Sequence, residues 1–178
     1  MRRLLRRQGY AATGLTQLLA EAEATNGSLY HHFPGGKEQL AAAAIQESAG
    51  EVETSLRLLF EKVDDPIAAV ESWIDVAIAT LERDPQAGCP VAPTAIEAAS
   101  ASEPLRASAA AAFAAWTDAL ETALARTRPS EVATGQSRAV LAAVEGALLL
   151  DRTARTTDHL TALRAAVPGL LSHELRPK

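Results

Sequence analysis

With 178 residues, 48% of them hydrophobic and 22% charged, the chain holds enough apolar material for a well-buried core, yet no apolar run approaches the roughly 18 residues of a membrane span. The net charge of −5 conceals a division: residues 1–46 carry Arg2, Arg3, Arg6, Arg7 and Lys37 against Glu21, Glu23 and Glu38, or +2, and residues 47–178 carry 12 basic and 19 acidic side chains, or −7. One cysteine, Cys89, excludes an intrachain disulfide and a multi-cysteine metal site, and MRRLLRRQGY lacks the apolar stretch of a secretory signal, so a cytoplasmic protein is expected.

No segment alternates apolar and polar residues over a strand length. Alanine, leucine and glutamate dominate, apolar residues recur at helical spacing, and prolines and glycines fall between the periodic segments. Helices are predicted near 2–8, 15–22, 26–32, 37–62, 66–83, 91–100, 103–127, 131–155 and 158–173, with a bend or break near Gly50 in the fourth. The fold class is therefore all-α.

Residues 9–40, GYAATGLTQLLAEAEATNGSLYHHFPGGKEQL, carry the most information. Leu15, Leu18, Leu19 and Ala22 make one short apolar stripe at i, i+3, i+4, i+7 spacing. Glu23 and Ala24 form a turn, and Thr25 is a good N-cap for a second short helix, Asn26 to His32. On that helix Leu29 turns inward, with Phe33 on the same side, and small polar residues lie opposite. This is the layout of a helix-turn-helix, whose second helix enters the major groove of DNA. Gly27 costs about 1 kcal/mol in a helix relative to Ala and reads either as a close approach to DNA or as helix-end irregularity. Pro34-Gly35-Gly36-Lys37 then opens a long helix whose free N–H groups suit a phosphate.

These residues resemble the DNA-binding head of the TetR family of regulators. The resemblance lies in Gly9-Tyr10, Thr13, the run Gly27-Ser28-Leu29-Tyr30-His31-His32-Phe33, and Lys37-Glu38 with Leu40. Thr13-Gly14-Leu15, Phe33 to Lys37 and Gly88-Cys89-Pro90-Val91 are similar to the LmrA/YxaF-like branch. The resemblance implies a three-helix head over residues 1–46 and a body of about six helices over 47–178 that binds ligand and dimerises. It implies that Thr25, Asn26 and Ser28 face bases or nearby phosphates, that Tyr30, His31 and Lys37 hold the DNA backbone, and that Thr13 contacts it too; His32 is read as structural. Two departures stand out. The family's first helix is longer than the eight residues before Gly9, which implies either a missing upstream half or a poorly packed head. Glu23 stands where the family has glycine, at a cost of roughly 1–2 kcal/mol if that residue is left-handed.

In the body the resemblance implies an apolar effector pocket, for which Phe60, Trp73, Ile74, Cys89, Phe113, Trp116 and Leu120 are candidate walls and Glu145 a candidate polar anchor. Ordinary core packing is the competing reading for each wall residue and a solvated or backbone-bonded side chain for Glu145, and Cys89 near a helix start has a sensor thiol as its third. Val140, Leu141, Val144, Leu148 and Leu160, Leu163, Val167 form stripes on the last two helices that either close the protein's own core or pair with a second copy as a four-helix bundle. The expected partners are a palindromic double-stranded operator, a small lipophilic effector and a second copy of the chain, with no membrane, cofactor or metal. No phosphate loop, nucleophile motif or metal-spaced ligand set points to an enzyme. The alternative is a degenerate relative that binds ligand or protein and not DNA.

Overall fold

The computed structural model describes residues 1–172, and these form nine helices with no strand. They are α1 (Arg2–Gln8), α2 (Leu15–Glu21), α3 (Asn26–His32), α4 (Gly36–Lys62), α5 (Pro66–Arg83), α6 (Ala92–Ala98), α7 (Glu103–Leu124), α8 (Ser130–Ala154) and α9 (Asp158–Ser172). The predicted order is borne out throughout. Helix α4 runs through Gly50 without a break, and α7 stops at Leu124 rather than 127, where the N–H groups of Arg126 and Thr127 turn back to Ala123 and Leu124. The predicted end of the last helix at 173 lies outside the described residues.

Two compact units result, Met1–Glu51 with Cys89–Phe113, and Val52–Gly88 with the chain from Ala114 onward. In the first, α1 packs on α6. Leu4 and Leu5 of the two-turn α1 are buried, so the loose packing expected of so short a helix is not seen.

In the second unit α9 packs on α8 and α5. Its core includes Phe60, Ile74, Trp116, Leu120, Val140, Val144, Leu160 and Val167, all buried. Helix ends here are closed by named side chains. Asp65 accepts from the Ile67 N–H at 3.1 Å and Pro66 supplies the first helical residue of α5. The Arg126 guanidinium donates to the carbonyls of Phe60 (2.7 Å), Val63 (3.1 Å) and Asp64 (2.9 Å), filling acceptors that the end of α4 leaves open.

The turn between α8 and α9 is organised by one residue. Arg155 adopts a left-handed conformation, φ 56°, and its N–H and that of Thr156 return to the Asp151 carbonyl. The buried Asp151 carboxylate then caps α9, accepting from the N–H groups of His159 (2.9 Å) and Leu160 (2.8 Å), with His159 Nδ1 at 2.7 Å. Burial alone pushes this carboxyl up; the Leu160 and His159 bonds outweigh it and hold its pKa below the usual range.

Candidate nucleic-acid interface

The site begins with Thr25. Its extended backbone ends the turn, and its hydroxyl accepts from the Ser28 N–H at 3.2 Å, which starts α3. Seven residues follow. Leu29 is buried and Leu18 of α2 is buried, so each short helix is anchored through a leucine. Thr25, Asn26, Gly27, Ser28, Tyr30, His31 and His32 are exposed. Phe33, expected in the core with Leu29, is only half-buried. The His31 and His32 rings meet edge to face, 5.0 Å between centroids.

Among the described residues nothing requires glycine at position 27, since a Cβ there would meet only the Thr25 hydroxyl, 3.8 Å away. Position 36 is different. Gly36 has φ 63°, and a Cβ would come within 3.0 Å of the Tyr30 ring. Glycine there lets Tyr30 lie against the start of α4 while remaining 52% exposed.

Glu23 in the turn has φ 51°, so the left-handed strain expected from its place in the motif is present. Glu23→Gly is expected to stabilise the protein by about 0.5–1 kcal/mol, the relief of strain exceeding the added freedom of the unfolded chain. In a thermal melt that amounts to a rise of roughly 1–4 °C; a fall would contradict the strain argument.

One expected DNA contact, Thr13, is corrected, and another, Lys37, has a partner within the chain. Thr13 is fully buried, and its hydroxyl donates to the Gly9 carbonyl at 2.6 Å, so it holds the loop between α1 and α2 together and has no surface to offer a phosphate. Lys37 is half-buried, donates to the Tyr10 carbonyl at 2.8 Å and lies over the Tyr10 ring, 4.0 Å from its centre. Burial lowers its pKa, and Glu97 opposes that shift. Lys37 therefore acts first as a tie within the first unit. Burial, followed by the nearby Glu38 charge, raises the Tyr10 pKa. The basic start is also less free than its charge implies: Arg2 pairs with Glu47 and Glu51, and Arg3 with Glu21.

Sequence reasoning missed the partners of this tie. Glu97 accepts from the N–H groups of Tyr10 and Ala11, each at 2.7 Å, and Ser102 donates to Glu38 at 2.6 Å. These pairs are 64 to 87 residues apart in sequence, and no local pattern announces them.

The candidate effector residues are drawn from both units. Cys89 and Phe113 belong to the first unit and the other six to the second. Ile74, Trp116 and Leu120 are closed core side chains, at most 1% exposed, while Trp73 and Glu145 are half-buried. Cys89 is buried, with Sγ accepting from the N–H groups of Val91 and Ala92. Phe60 borders a cleft of about 210 Å3 with Ala119, Ala123 and Arg126. A second cleft of about 310 Å3 lies beside Leu81, Pro85, Arg155 and Thr157.

Of the two readings of the stripes on α8 and α9, the closed core fits five of the seven positions. Val140, Leu141, Val144, Leu160 and Val167 are buried within one copy, and Leu148 and Leu163 are half-buried. The exposed large apolar residues of α8 and α9 are Leu149, Leu150 and Leu170, and Ala139, Ala142, Ala162 and Ala166 of the same helices are exposed too.

Comparison with known proteins agrees with this geometry. Residues 2–44 match the bacterial regulatory proteins of the tetR family, and residues 66–166 match the C-terminal domain of LmrA/YxaF-like transcriptional regulators. The HTH-type transcriptional regulator LmrA of Bacillus subtilis is 34% identical over 95% of this chain and 91% of its own length. YxaF of the same organism, an HTH-type transcriptional regulator, is 32% identical over 95% and 90%. Among solved structures, a TetR transcriptional regulator from Chloroflexus aurantiacus aligns over 99% of this chain and 92% of that one, with TM-score 0.80 and 26% identity. The reduced form of Escherichia coli NemR aligns over 95% and 91% with TM-score 0.83 and 22% identity, a likeness of fold. The family-model matches and the two relatives above 30% identity place this chain, with its own helix-turn-helix, in the TetR family of DNA-binding transcriptional regulators, in the LmrA/YxaF-like branch.

Proposed function

We propose that the chain is a homodimeric cytoplasmic repressor that binds a palindromic operator through residues 1–46 and leaves it when residues 47–178 take up a small lipophilic effector. The observation that carries this reading is α3 itself: Leu29 anchors it from behind, its polar residues are exposed, and Gly27 is a glycine that the fold does not require. A missing side chain on the outer face allows close approach to a duplex. Thr25, Asn26 and Ser28 lie at the end of the helix that reaches base edges in this motif, and Tyr30 and His31 lie further along it, toward the backbone.

Dimerisation sets two such helices about 34 Å apart, one turn of DNA. The exposed Leu149, Leu150 and Leu170, with the exposed alanines of the same helices, support α8 and α9 as the surface that pairs. The effector acts by binding better to a conformation that breaks this spacing. Phe60 is the candidate wall residue best supported, because it borders a cleft. At about 210 Å3 that cleft is smaller than the roughly 300 Å3 at which ligand pockets begin, so effector entry requires it to widen. Among the described residues no helix is long and apolar enough to cross a membrane.

Fluorescence anisotropy with DNA from beside the chain's own gene tests the reading. Specific binding that weakens steeply with salt is expected. Tyr30→Ala is expected to lower affinity about tenfold on every sequence, the loss of a backbone contact. Asn26→Ala or Ser28→Ala is expected to change which bases are preferred, by about 1–3 kcal/mol at the affected position. Binding that neither depends on salt nor distinguishes the palindrome favours the degenerate-relative reading instead.

A further inference from the structure

Glu97 lies on α6, outside the helix-turn-helix and outside residues 1–46, yet its carboxylate is bound to the start of the DNA-binding segment. One oxygen, Oε2, accepts from the Tyr10 and Ala11 N–H groups at 2.7 Å each. Two successive backbone N–H groups turned toward one carboxylate oxygen form a small anion nest, and bonds to an ionised acceptor are about twice as strong as neutral ones. Gly9 completes the nest. It has φ 76°, and a Cβ there would run into the Glu97 carboxylate. The glycine that opens the Gly9-Tyr10 motif is thus required twice over, for its backbone angle and for the room that Glu97 occupies.

The Tyr10 carbonyl faces the other way and accepts from Lys37 at the start of α4 and from the Thr13 N–H. One residue further on, Glu38 accepts from Ser102, just beyond α6. The segment 97–102 therefore holds the loop before α2 at one point and the start of α4 at another. The start of α4 is also the surface against which Tyr30 of α3 rests, at Gly36.

We propose that Glu97 is a positioning residue for DNA binding: an acidic side chain that contacts no DNA but raises affinity by fixing the Tyr10–Lys37 tie on which the recognition helix is seated. This rests on the DNA-binding reading above. It runs against simple electrostatics, by which removing a negative charge strengthens binding to a polyanion.

The test uses the full-length protein, DNA from beside its own gene, anisotropy titrations at several salt concentrations, circular-dichroism melts and amide exchange. Glu97→Ala is expected to bind about tenfold more weakly, the worth of one charge-assisted hydrogen bond. Its plot of log affinity against log salt should run parallel to the wild type, since no phosphate contact is lost. Glu97→Gln keeps an oxygen able to accept both N–H groups and should stay within about threefold of the wild type. In the wild type, the Tyr10 and Ala11 amides should exchange slowly, and in Glu97→Ala they should exchange faster. Equal or tighter binding by a folded Glu97→Ala overturns the inference, as does Glu97→Gln binding no better than Glu97→Ala. Unprotected Tyr10 and Ala11 amides in the wild type overturn it whether or not the alanine variant folds. Absence of specific binding by the wild type overturns the DNA-binding reading itself, a separate result.

Discussion

Asp151→Ala is expected to destabilise the protein by about 3 kcal/mol, because it removes a charged acceptor from two backbone N–H groups and leaves them without a partner. The Leu160 side chain is fully buried, so water is poorly placed to replace the lost acceptor at its N–H. In a chain of this length that loss corresponds to a fall of roughly 6–12 °C in the melting midpoint near neutral pH. Acidity supplies a second readout. The folded-state pKa of Asp151 is depressed, so its contribution is complete above the ordinary carboxylate value, near 3.9, and is lost as pH falls through the lower folded value. Wild-type and Asp151→Ala melting curves should converge in acid and separate above it. Midpoints within about 2 °C of each other near neutral pH, less than 1 kcal/mol is worth, would remove Asp151 from its place as the cap of α9.

Leu29→Ala is expected to abolish operator binding without touching the face that meets DNA. Truncating a buried leucine costs about 2–5 kcal/mol, and here the loss falls on a seven-residue helix whose buried anchor it is. Leu29→Met, close in volume, should keep most of the affinity, at a cost below about 1.5 kcal/mol. The pattern contrasts with Tyr30→Ala, which should weaken binding at a much smaller cost to the melt, since about half of that ring is already in solvent. Anisotropy and a thermal melt on the same samples separate the cases; full affinity in Leu29→Ala would mean that α3 is held by something other than its leucine.

The helices were legible because their signals are local. Thr25 three residues before the Ser28 N–H and leucines at three- and four-residue spacing each act within one turn. The outward set of α3 was legible for the same reason: once Leu29 is inward, the angle per residue fixes which neighbours face out. Gly50 misled because glycine lowers helix propensity without forbidding a helix, and the 27-residue α4 absorbs the cost.

What packs against what was not legible. Val140, Val144, Leu160 and Val167 fit a core and a subunit surface equally well, and a stripe records its own direction but never its partner. The structure assigns them to the protein's own interior and leaves Leu149, Leu150 and Leu170 outside. Thr13 failed as a DNA contact, and Lys37 has a partner within the chain, for a related reason. A hydroxyl and an ammonium near a phosphate-binding motif are equally able to bond a backbone carbonyl, and here they bond those of Gly9 and Tyr10. Glu97 had no local signal, since its two bonds close a span of more than 80 residues.

The three carbonyls gathered by Arg126 limit how this chain tolerates exchange of its basic residues. Arginine to lysine is commonly treated as a mild substitution, since charge and approximate length persist. A guanidinium is flat and forked and reaches several acceptors at once, whereas an ammonium is a compact point on a flexible stem. Lysine at 126 would leave some of the oxygens at Phe60, Val63 and Asp64 searching for water, so at the joint after the longest helix a nominally conservative replacement would not be silent.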